Sequence, residues 1–145
     1  MVTQTRNEFL TNRAWHRAVI GGSDMILRRT SALTHLQLFN GYMREKRIDV
    51  YSKTRGNYEN INYHVVENYS GIDYVQIGDV YGTSVSQTIN DMLADESSDE
   101  LALVEGLSSY YFSNGENFDG LHIKPENMER FNSIKDWAAE YYDEV

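Results

Sequence analysis

The hydrophobic period changes twice along this chain of 145 residues, and that switch limits the fold more than any other feature. From Thr5 to Ile20, Leu10, Ala14 and Ala18 share one helical face and Trp15 and Val19 widen it, the pattern of a helix with one buried stripe. Gly21-Gly22 closes that segment. Ser23-Asp24 then offers an N-cap, and Met25, Ala32, Leu36 and Phe39 keep helical spacing up to Asn40-Gly41, which predicts a second helix. The same Asn-Gly would suit a hairpin turn after a strand at Thr34–Phe39.

From Ile48 the period shortens to two. Ile48 and Val50 alternate with polar neighbours, and Ile61, Tyr63 and Val65 alternate with Asn60, Asn62 and His64, as half-buried strands do. Asn68-Tyr69-Ser70-Gly71 supplies turn chemistry, and Ile72–Ile77 is read as the antiparallel partner of the strand before it. Gly78 and Gly82 bracket a short loop or a further strand at Val80-Tyr81.

The helical period returns at Thr83 or Ser84 with Val85, Ile89 and Met92-Leu93. Ser97-x-x-Glu100 has the form of a capping box leading into Leu103, Leu107 and Tyr110-Tyr111, and Ser113-Asn114-Gly115 stops that helix. Pro125 suits the first turn of a last helix with Met128, Phe131, Ile134, Ala138 and Tyr141 on one stripe. Asp143 and Glu144 oppose the dipole at its far end, so fraying is expected there. Helices, then strands, then helices predict one α+β domain over residues 1–145, with a small antiparallel sheet at about residues 48–81 flanked by N-terminal and C-terminal helices.

Charge divides the same chain differently. Residues 1–56 carry ten Lys/Arg against four Asp/Glu, and residues 57–145 carry three against eighteen. A field split by sign selects charged partners. The chain has no cysteine, which removes disulfides, thiolate metal sites and thiol nucleophiles and suits a reducing compartment. No apolar run approaches the ~20 residues of a membrane-spanning helix. The expectation is a cytoplasmic protein, within a host cell if the source is a phage.

Catalytic signatures are missing from the sequence. His16, His35, His64 and His122 fall in no HExxH or HxxxH spacing, and there is no GxxxxGK[ST], GxGxxG, GxSxG or DxDxDG. No catalytic residue, metal ligand or cofactor is therefore expected. Two charged surfaces remain. One is basic: Arg13, Arg17, Arg28, Arg29, Arg44, Lys46 and Arg47, with Arg6, Lys53 and Arg55 and with Trp15, His16 and Tyr42 nearby, has the groups to hold and stack on a nucleic acid. Against this, the chain's pI of about 4.8 is far from the basic range of such binders.

The other surface is acidic. Asp91, Asp95, Glu96, Asp99, Glu100 and Glu105 fall along two consecutive helices with Tyr110 and Tyr111 beyond them. Carboxylates on a rigid surface imitate a line of phosphates, and tyrosine supplies contact area at little rotamer cost. In overall character a small, cysteine-free, tyrosine-rich acidic domain resembles the antagonists that phages and mobile elements encode against host restriction, CRISPR or repair enzymes. That resemblance implies a non-enzymatic inhibitor that occupies the basic site of a nucleic-acid-processing protein by DNA mimicry. The alternatives are a structural or assembly protein, whose basic part meets the acidic part of the next copy, and a nucleic-acid-binding protein using the arginine-rich part. None of these involves a membrane.

Overall fold

The computed structural model describes residues 11–41 and 46–141. Residues 5–10 of the first expected helix, together with Arg6, Tyr42, Arg44, Tyr142, Asp143 and Glu144, lie outside the described residues. Within them the chain forms α1 (Asn12–Ile20), β1 (Ile26–Leu27), α2 (Arg29–His35), β2 (Ile48–Ser52), β3 (Ile61–Val65), β4 (Tyr74–Ile77) and β5 (Val80–Thr83). Helices α3 (Val85–Ala94) and α4 (Glu100–Ser113) follow, then a 3-10 turn at Pro125–Asn127 that runs into α5 (Met128–Glu140). This is the expected single α+β unit, with helices flanking a five-stranded sheet.

The sheet differs from the expected one in content and direction. Its order is β3-β2-β1-β5-β4, so the middle strand is Ile26–Leu27, two residues read from the sequence as helical. Both are fully buried because they pair on one side with β2 and on the other with β5. A helix through Met25 would leave those two ladders without a centre. The helix instead starts after the strand, at Arg29. The Asn40-Gly41 pair closes no hairpin after Thr34–Phe39, since Thr34 lies in α2.

Ile72–Ile77 does not pair with β3. β4 is antiparallel to β5, with Tyr74 opposite Thr83 and Ile77 opposite Val80, while β3 runs parallel to β2. Residues 53–60 carry the chain back along the length of β2 before β3 begins, and Gly56 packs under the Tyr63 ring, where a Cβ would collide with the phenol. The sheet is therefore mixed.

Register sorts the side chains into two faces. Leu27, Val50, Ile48, Ile61 and Val80 turn to one face and form a core with Ile20 of α1 and Ala32 of α2. A second core lies on the far side of α2, where Leu33 meets Ile89, Met92, Leu103, Leu107, Phe131, Ile134 and Ala138 of α3, α4 and α5. Helix α2 thus serves both cores and joins the sheet to the helical layer.

Caps fix the helix ends. Thr11 accepts from the Ala14 amide, Ser84 from Gln87 and Asp99 from Ala102. Asp99, rather than the expected Ser97, caps α4. Asn90, buried in α3, donates to the carbonyls of Ser86 and His122 and accepts from the Lys124 amide and the Asn127 side chain. That one amide anchors the segment leading into α5.

Candidate functional site

The face of the sheet opposite α1 carries a charged cluster. Asp49 and Tyr51 of β2 point to this side with Asn62 and His64 of β3. The Arg28 guanidinium reaches Asp49 Oδ1 at 3.1 Å and lies 4.7 Å from the centre of the Tyr51 ring. Arg29 Nε donates to Asp49 Oδ2 at 2.6 Å, and its Nη1 donates to Asp95 Oδ2 at 2.7 Å and to Ser98 at 3.3 Å. The Tyr51 hydroxyl donates to Asp91 Oδ2 at 2.7 Å, and Gln87 holds the other Asp91 oxygen at 3.0 Å. His64 stands edge-on to Tyr51 with ring centres 5.2 Å apart.

Local geometry explains how two adjacent arginines converge on one carboxylate. Arg28 is extended, and Arg29 has φ +47°, a left-handed conformation that costs a non-glycine residue about 1–3 kcal/mol unless its surroundings hold it. Two carboxylates hold it. The turn swings Arg29 back toward Asp49 while its fork still spans to Asp95.

Electrostatics follows from burial. Burial disfavours the Arg28 charge, but Asp49 and Tyr51 more than offset it and its pKa lies above the ordinary value. Burial, reinforced by Asp91, pushes the Tyr51 phenol up to about 12. Burial and then Arg28 lower the His64 imidazole, against the pull of Asp49 and Asp91. The two hydrogen bonds from Ser97 hold Asp95 below the usual carboxylate range, with Arg29 adding to them. Tyr51 is thus a neutral donor, His64 is favoured as neutral, and Asp49 is matched by two cations. The arrangement pairs charge across the junction of sheet and helices.

The sequence-derived residues divide sharply in this structure. Arg28 and Arg29 belong to the cluster, and Arg13 donates from Nε to the His35 carbonyl at 3.3 Å. Arg17, Lys46 and Arg47 are exposed, and Arg44 is outside the described residues. Among the acids, Asp91 and Asp95 also belong to the cluster, Asp99 caps α4, and Glu105 accepts from the Tyr141 hydroxyl. Tyr110 donates to the Asp119 carbonyl and Tyr111 packs against Phe118, so both are half-buried under the loop after α4. Glu96 and Glu100 alone of the eight remain open to solvent.

Other exposed acids lie on the same helical layer: Glu126 before α5, and Glu129, Asp136 and Glu140 along it. Large apolar side chains are exposed on the same two helices, Leu101 on α4 and Met128 and Trp137 on α5. Asp49, Tyr51 and His64 were not legible as site residues from spacing. The one signal was an acid inside the apolar run Ile48-Asp49-Val50, a position that demands a cation nearby. No protein family matches this chain, and no curated protein matches it.

Proposed function

We propose that this is a non-enzymatic binding protein whose acidic helical layer occupies a basic, nucleic-acid-binding surface of a partner, as an inhibitor of the kind phages and mobile elements encode. One observation carries the reading. Glu96, Glu100, Glu126, Glu129, Asp136 and Glu140 form no ion pair among the described residues, and their layer also exposes Leu101, Met128 and Trp137. Unmatched carboxylates steer a cationic partner in and set its orientation, whereas exposed large apolar groups, tryptophan above all, supply binding energy once water is excluded.

The internally paired acids narrow the contact set. Asp91 and Asp95 are committed to Tyr51 and Arg29, so the docking surface centres on α4 and α5 and on the turn before α4. Trp137, 45% exposed, is its anchor.

The test is capture of partners from nuclease-treated lysate by the tagged protein, with elution by salt and by added duplex DNA. A stoichiometric nucleic-acid-processing protein displaced by DNA, and lost on combining Glu96→Lys, Glu100→Lys, Glu129→Lys and Asp136→Lys, supports the reading. Capture unaffected by those reversals overturns it, and recovery of the protein's own copies alone overturns it in favour of head-to-tail assembly.

A further inference from the structure

Among the described residues, strand β4 is the last strand on its side of the sheet and pairs with β5 alone. The Ser84 amide donates to the Asp73 carbonyl at 3.0 Å, which fixes the phase of that ladder. In an antiparallel pair the N–H and C=O of one residue point the same way, and the direction alternates along the strand. Val75 and Ile77 therefore bond to β5, while the N–H and C=O groups of Tyr74 and Gln76 point off the sheet. The faces of the strand are open as well, since Tyr74 and Val75, on opposite sides, are 42% and 40% exposed.

Natural edges are blunted by lysine, proline, bulges or a covering element. Tyr74-Val75-Gln76-Ile77 holds no lysine, no proline and no charge. Carboxylates flank it instead, with Asp73 at one end and Asp79 at the other, both exposed. Two copies pairing antiparallel through β4 would bring Asp73 of one toward the Asp79 end of the other, and like charges across strands oppose that. The same two carboxylates attract a strand that ends in cations. On one face the Tyr74 ring is fixed between Tyr69 and Tyr81, at centre distances of 6.3 Å and 5.6 Å and interplanar angles of 71° and 90°, which provides a preformed wall for an incoming side chain.

We propose that β4 is a docking edge that accepts, by strand addition, an extended segment of a partner protein with uncharged β-forming residues between basic ends. Main-chain hydrogen bonds to Tyr74 and Gln76 give the affinity, and Asp73 and Asp79 select the partner and exclude self-pairing. This edge is separate from the acidic helical layer and does not rest on the reading of that layer.

The probe is the peptide acetyl-Lys-Thr-Val-Thr-Val-Lys-amide, with a version ending in Glu as its counterpart, added to the full chain and followed by amide shifts and hydrogen exchange. In the free protein the Val75 and Ile77 amides exchange slowly and those of Tyr74 and Gln76 fast. The lysine-ended peptide slows Tyr74 and Gln76 by about tenfold, the order expected when an open edge amide gains a partner, and the Glu-ended peptide leaves them fast. Combining Asp73→Lys with Asp79→Lys, both surface changes, reverses that preference. Gln76→Pro, tolerated on an edge but without the donor, abolishes the effect. Equal response to both peptides, shifts confined to other surfaces, no response at all, or protection that rises with protein concentration alone would each overturn the proposal.

Discussion

Arg29 Nη1 lies 2.7 Å from Asp95 Oδ2, and among the described residues this is the ion pair that joins the basic N-terminal segment to the acidic C-terminal one. The other pairs, Arg28–Asp49, Arg29–Asp49 and Lys53–Asp24, stay within the first 56 residues. Among the described residues the two halves are joined by salt bridge through this one arginine. Arg28 and Arg29 are matched by the chain's own acids, whereas Glu96, Glu100, Glu129 and Asp136 form no ion pair among the described residues.

The two carboxylates of Arg29 should differ in weight. The Asp49 side chain is 12% exposed and faces two guanidinium groups, whereas that of Asp95 is 43% exposed. Asp49→Ala leaves Arg28 buried and unmatched, and the expected loss is about 3–5 kcal/mol. Asp95→Ala breaks a solvated pair and should cost about 1 kcal/mol or less. Urea unfolding of both variants checks the ratio, and equal losses would refute this account of the cluster.

His16 makes stability depend on pH. It is fully buried in α1, neither ring nitrogen has a partner, and burial followed by the charge of nearby His35 lowers its pKa to about 4. His35 is lowered too, by burial and then by Arg13, with Arg17 adding to it. Between the ordinary value of 6.5 and about 4 the unfolded chain binds the proton and the folded one does not. Stability is thus full above that window and falls as pH drops through it, by about 3 kcal/mol for His16 alone. His16→Leu should flatten the slope between pH 7 and pH 4.5 in chemical unfolding, and an unchanged slope would place the sensitivity elsewhere.

Gly106 sets how closely α4 approaches α2. A Cβ there would stand 2.9 Å from Leu33 Cδ2 and 3.0 Å from Leu33 Cδ1, within the core that joins the two layers. Alanine improves helix propensity by about 1 kcal/mol, but overpacking costs about 1–3 kcal/mol. Gly106→Ala should therefore lower the thermal midpoint despite its better propensity, and a raised midpoint would show that Leu33 yields.

The acidic layer should tolerate charge reversal as a fold while losing its partner. Glu96, Glu100, Glu129 and Asp136 are exposed and form no ion pair among the described residues, so reversing each to lysine should change stability by no more than about 0.5 kcal/mol. Trp137→Ala should weaken partner binding by at least about 2 kcal/mol, as a buried anchor does, with the change mostly in the off-rate by surface plasmon resonance.

Periodicity carried the helices of the second half because each buries a stripe against its neighbours. Ile89, Met92, Leu103, Leu107, Phe131 and Ile134 all reach the core that the spacing implied. Strands β2 and β3 were legible from alternation, although β2 is buried on both faces rather than half-buried. Their partners were not, since alternation states which residues face inward and nothing about which strand lies beside which. Ile26 and Leu27 were misread because an apolar pair buried on both sides looks the same in a helix or a strand. Arg28, Arg29, Asp49 and Asp95 were legible as charges and illegible as a cluster.

By itself the sequence determined local terms: the apolar stripes of the helices in the second half, the turn residues that break the chain, and that acid and base are segregated along it. Those follow from neighbours a few residues apart, whose geometry the backbone fixes. Only the tertiary structure decided that Ile26–Leu27 is the middle of the sheet, that β3 runs parallel to β2, and which acids are matched inside and which face solvent. Such outcomes depend on groups such as Arg29 and Asp95, 66 residues apart, whose meeting is set by packing around α2.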